Sequence, residues 1–86
     1  MKCQLVGFRH SEYTDKDTGK VTLSCHLYLI RKAKLSESGQ VGSVTHHCVV
    51  YDDKINELPE LVENAIYDCD VNTFKGKDYL NDMTKL

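Results

Sequence analysis

The sequence predicts an all-β chain of five strands with a short helix or turn between the third and fourth. Three observations carry this. Gly19 to Lys32 alternates with a period of two, placing Val21, Leu23, Cys25, Leu27 and Leu29 on one face and Thr22, Ser24, His26 and Tyr28 on the other. Successive strand side chains point to opposite faces, so this is a strand with one buried and one wet face, whereas a helix would scatter the leucines. Turn-forming clusters separate the other apolar runs. Only Asp52 to Val62 has helix-like spacing, and Pro59 interrupts it.

In chain order, Lys2 to His10 reads as the first strand, with Gly7 marking a bulge or a close backbone approach. Tyr13 to Lys20 is a turn, because Asp15 and Asp17 can bond their own backbone and Gly19 can supply a positive φ. The Gly19–Lys32 strand completes a long hairpin, and its length implies that it bends and pairs with two partners. Residues 33–40 read as a mobile loop with a basic stem at Arg31, Lys32 and Lys34. Gly42 to Tyr51 is the third strand, with apolar residues in both parities and so two possible registers. Asp52 and Asp53 offer an N-cap for a short helix whose inner side is Ile55, Leu58, Leu61 and Val62. Ala65 to Asn72 alternates again, with Tyr67, Cys69 and Val71 opposite Asp68 and Asp70. Phe74 to Lys77 is a tight turn, and Asp78 to Met83 is the last strand.

This is the element order of the OB-fold barrel. An SH3-like barrel is the alternative, with its helical turn between the fourth and fifth strands. The 86 residues make a single domain, 1–86, with one modest core. No run approaches a membrane span and no signal-peptide core is present, so a cytoplasmic protein without a membrane partner is expected.

Cys3, Cys25, Cys48 and Cys69 lie 22, 23 and 21 residues apart, one per strand-like run. Metal and redox motifs need local pairs, so these are expected to be reduced, buried core residues without zinc or other cofactor. Residues 1–40 hold seven Lys/Arg against four Asp/Glu, and residues 41–86 hold four against nine. Any polyanion must therefore bind one local face.

An enzyme is not expected. Ser11 and His10 are adjacent in a strand and face opposite ways, and no recognised catalytic motif is present. His46 and His47 likewise face apart, which argues against a metal site with Cys48. His26 could approach either histidine, depending on register. Nucleic acid is the better match: single strands need flat side chains to stack on bases and cations along the backbone. Phe8, Arg9, Tyr13 and Lys16 on and near the first strand, Lys20, His26, Tyr28, Arg31, Lys32 and Lys34 on and around the second, and Phe74, Lys75 and Lys77 at the last turn are the candidates. OB-folds bind there, on strands two and three and on the loops joining strands 1–2 and 4–5.

The order GFR, YTDKDTGK and LYL, then VVYDDKINELPEL, then YDCDVNTFKGK, resembles the small gene V-type helix-destabilising proteins of filamentous phages, with relatives in plasmids and in phages of Gram-positive bacteria. The resemblance spans residues 1 to about 80. It implies an OB-fold homodimer that serves phage or plasmid replication by cooperative, sequence-tolerant binding of single-stranded DNA. Its stacking aromatics would map onto Tyr13, Tyr28 and either Tyr51 or Phe74. The acidic second half departs from that pattern. A small barrel that binds a protein partner through a free sheet edge is the competing expectation.

Overall fold

The computed structural model describes residues 1–32, 39 and 42–86. The loop expected over residues 33–40, with Lys34, therefore lies almost wholly outside the described residues. β1 (Lys2–Thr14) and β2 (Val21–Lys32) form a long antiparallel hairpin. Its turn follows from Asp15, whose Oδ1 accepts the amides of Asp17 and Thr18 at 2.8 and 3.1 Å, while Gly19 takes φ 72°. Asp17 contributes an amide donor rather than a carboxylate acceptor.

β2 pairs on its other side with β3 (Ser43–Tyr51), as its length implied. A 3₁₀ helix (Asp52–Glu57) follows, then β4 (Ile66–Phe74) and β5 (Lys77–Lys85). The barrel closes in the order β1-β2-β3-β5-β4. This is the expected OB-like arrangement, with the helical turn after the third strand and not after the fourth. Lys75 and Gly76, at φ 51° and 76°, make the two-residue turn between β4 and β5. Among the described residues no helix is long and apolar enough to cross a membrane.

The core is Cys3, Leu5, Cys25, Leu27, Leu29, Cys48, Val50, Tyr67, Cys69 and Met83. It fixes the ambiguous third strand: His46, Cys48 and Val50 point inward, so His47, Val49 and Tyr51 point outward. All four cysteines are free and buried. Burial pushes the Cys48 thiol up to about 11 and the Cys69 thiol to about 12, so both stay protonated. Tyr67 is buried with its hydroxyl donating to the Glu60 carbonyl at 2.6 Å and accepting the Val62 amide at 2.8 Å, which ties down the segment after the 3₁₀ helix.

Four expectations are corrected. Val21 and Leu23 carry the inward parity but are each 46% exposed. β3 pairs with β2 only from Ser24 onward, so the outer part of the hairpin is a two-stranded arm beyond the barrel, with no core beneath it. The long axis of the molecule is accordingly 48 Å. Asp52 and Asp53 do not cap the helix. Asp52 Oδ1 instead accepts the Leu23 amide at 3.0 Å, anchoring the base of the arm. Ile55, Leu58 and Leu61 pack on the core as expected, but Val62 is exposed. The helix stops before Pro59, with Leu58 extended at ψ 145°. Finally, β5 is longer than expected, running to Lys85.

Candidate functional site

Register assembles one face from three strands. Opposite residues in a ladder share a face. The pairs Tyr13↔Thr22, Ser11↔Ser24, Arg9↔His26 and Gly7↔Tyr28 therefore put Tyr13, Arg9, His26 and Tyr28 on the outer surface. From β3 the pairs Ser24↔Tyr51, His26↔Val49 and Tyr28↔His47 add Tyr51 and His47.

Three near-parallel rings line this face, with His26 and His47 meeting edge to edge. The His47 ring lies 4.9 Å from Tyr28 at 9° and 5.1 Å from His26 at 19°. His26 Nδ1 and His47 Nε2 are 2.9 Å apart, one donating and the other accepting. Partial desolvation, followed by the nearby charges of Arg9 and His47, holds His26 below the ordinary histidine range. A methyl group at Gly7 would rest 3.8 Å from Tyr28 Cδ2, so the glycine leaves that side of the ring uncovered. The result is a flat, partly exposed aromatic ladder beside a cation.

The other expected residues are placed unevenly. Lys16 and Lys20 are exposed at the arm tip, and Lys32 is exposed with the parity of Tyr28. Phe8 leaves this face. The register shift between Leu5 and Gly7, the bulge that Gly7 signalled, pairs Phe8 with Leu27, and its ring meets His10 edge-on at 6.2 Å. Ser11 turns away from His10 and shares a 2.9 Å hydrogen bond with Ser24.

Arg31 is also displaced. It has the inward parity of Leu27 and Leu29, and its Nε donates to His46 Nε2 at 3.0 Å. His46 Nδ1 lies 3.1 Å from Asp78 Oδ2, and Asp78 Oδ1 accepts the Thr73 hydroxyl at 2.6 Å. Desolvation raises the Asp78 carboxyl, but the hydrogen bonds from Thr73 and His46 outweigh it and hold the group below its usual range. Arg31 thus belongs to a polar chain that links β2, β3 and β5, and it is not part of the Tyr28 face.

Phe74 is exposed beneath Lys75, whose Nζ sits 5.4 Å from the ring centroid. Lys77 lines an open groove of about 890 Å³ with His47, Val49, Tyr51, Lys54 and Tyr79. The groove lies where, among the described residues, β3 and β5 form no ladder beyond the pair Cys48↔Asp78. The sequence reading missed His47, Lys54 and Tyr79. The third-strand register would have revealed His47, and Tyr79 follows the last turn by two residues beyond Lys77.

Among the described residues no three His, Cys, Asp or Glu side chains converge to hold a metal ion. No family model, curated protein or solved structure matches the chain.

Proposed function

We propose that this barrel is a non-enzymatic, sequence-tolerant single-stranded DNA-binding protein. The observation that carries the reading is the Tyr28–His47–His26 ladder beside Arg9, on the outer face of β2 and β3 of a closed five-stranded barrel. Bases stack on the ladder and on Tyr13. Arg9, Lys32 and the arm-tip lysines follow the phosphates. This role suits a replication protein of a phage or plasmid, acting in the cytoplasm.

The test is fluorescence anisotropy of labelled oligo-dT and of a duplex of equal length, across salt. Contact with about 3–4 phosphates gives a log–log slope near −2 to −3 for the single strand, at about 0.7 per phosphate. Equal or tighter binding of the duplex would refute the reading.

The same proposal includes a homodimer. Phe8 on the barrel and Val21 and Leu23 on the arm leave apolar surface that one barrel does not cover. Light scattering that returned only the 9.8 kDa mass at micromolar concentration would reject it.

A second reading has its own observation. β1 pairs with β4 only over Lys2–Gln4, so beyond Leu5 its outer edge has no second strand partner among the described residues. Such an edge accepts an added strand from a protein partner. Failure of oligo-dT to bind at low salt would favour that role.

A further inference from the structure

We propose that the groove between β3 and the β4–β5 hairpin is a second subsite for the same DNA strand, holding one base against its tyrosines together with the flanking phosphates. The inference rests on the single-strand reading above and extends it to residues outside the β2–β3 ladder.

Continuity comes first. His47, the central ring of the ladder, also lines the groove, and Val49 and Tyr51 follow it at alternate positions on the same outward face. A strand stacked on Tyr28 and His47 is therefore delivered to the groove mouth. The lining chemistry fits a nucleotide. Tyr51 and Tyr79 are 55% and 49% exposed, offering flat surfaces, and Val49 and Leu80 supply apolar wall. Lys54 and Lys77 bring cations.

Asp78 is the carboxylate in the lining, and it is already engaged by Thr73 and His46. Those hydrogen bonds occupy its oxygens but leave its negative charge, which Lys54 and Lys77 in the same lining outnumber. The volume of about 890 Å³ lies within the range of small-ligand sites.

The groove also offers hydrogen-bonding backbone. Among the described residues the β3–β5 ladder is the single pair Cys48↔Asp78, so the edges of Val49–Tyr51 and of Tyr79–Leu80 that face each other form no ladder. Those amides and carbonyls can meet the edge of a base while the tyrosines cover its face. Stacking surface, cations and backbone edge together select a nucleotide.

The experiment uses the full chain and oligo-dT of graded length, comparing wild type with Tyr79→Ala, Lys54→Gln and Tyr28→Ala. Thermal melts confirm that each variant is folded. Strands carrying 5-iododeoxyuridine are photo-crosslinked in parallel and the attachment sites mapped. Tyr79→Ala is expected to weaken binding about ten-fold, the loss of one stacked base, and to shorten the length of strand occluded. Lys54→Gln is expected to flatten the log–log salt slope by about 0.7. Crosslinks are expected at Tyr51 or Tyr79. If Tyr28→Ala weakens binding while both groove variants match wild type and crosslinks avoid the groove, the subsite is overturned and the DNA-binding reading stands. If wild type binds no oligo-dT, both fall together.

Discussion

The outer surface of β1–β3 and the outer surface of β4–β5 are built on the same barrel and present opposite chemistry. The first carries Arg9, His26, Tyr28 and His47, with Lys32 at its end. The second carries Asp68, Asp70 and Asp82, with Asp70 and Asp82 directly opposite each other in the ladder. β2, which holds the aromatic ladder, pairs with neither β4 nor β5. The net charge of −2 is therefore a poor guide to what the protein binds. Closure of the barrel turns a charge gradient along the chain into two separate faces, and the charge of the first is the one that favours a polyanion.

The largest expected effect removes both faces together, because they share one core. The Cys48 and Cys69 thiols lie near 11 and 12, against 9.0 for a free thiol. A raised folded-state pKa gives stability that is whole below the unfolded value and is lost as pH rises through the folded one. Each unit is worth about 1.4 kcal/mol per thiol. Circular dichroism melts should show a constant Tm up to about pH 9 and a steep fall above it; a flat profile to pH 12 would break the account of the core.

Next is His47→Ala, which removes the central ring, the parallel neighbour of Tyr28 and the hydrogen-bond partner of His26. Affinity for oligo-dT should fall by about ten-fold or more, with Tm nearly unchanged because the residue is exposed. Acidification sharpens the contrast between the faces. Desolvation, then the charges of Arg9 and His47, hold His26 below the ordinary histidine range, so it is largely neutral at pH 7 and gains its proton as the pH falls. Binding measured from pH 7 to pH 5 should strengthen and its salt slope steepen by up to about 0.7. His26→Gln should reduce that change.

The smallest effect is on the acidic face. Asp70→Asn relieves a like-charge cross-strand pair and should stabilise the fold by about 0.2–1 kcal/mol in urea titrations. It should change oligo-dT affinity far less than His47→Ala does. A larger effect on binding from Asp70→Asn would erase the distinction between the faces.

Much of this was legible in the chain. The period of two along β2 identified its faces, and Gly7, Gly19 and Pro59 marked the bulge, the turn and the helix stop that the structure contains. Four things were not legible, each for a physical reason. Alternation says which side chains share a face but not whether anything covers it, so Val21 and Leu23 looked like core. A bulge reverses parity downstream, and that moved Phe8 away from Tyr28. Grouping cations by nearness in sequence ignored parity, and Arg31 faces His46 while Lys32 faces outward. The groove was invisible for another reason: it depends on where β3 and β5 part, which is a long-range property of closure.

The central claim is that bases stack on the β2–β3 ladder. The chain has no tryptophan, so tyrosine emission reports this directly. Titration with oligo-dT at low salt should quench wild-type fluorescence saturably. Tyr28→Ala should lose part of that quench and about ten-fold or more in affinity, since stacking is worth about 1–3 kcal/mol per base. Absence of quenching in wild type, or a titration unchanged by Tyr28→Ala, would contradict the account.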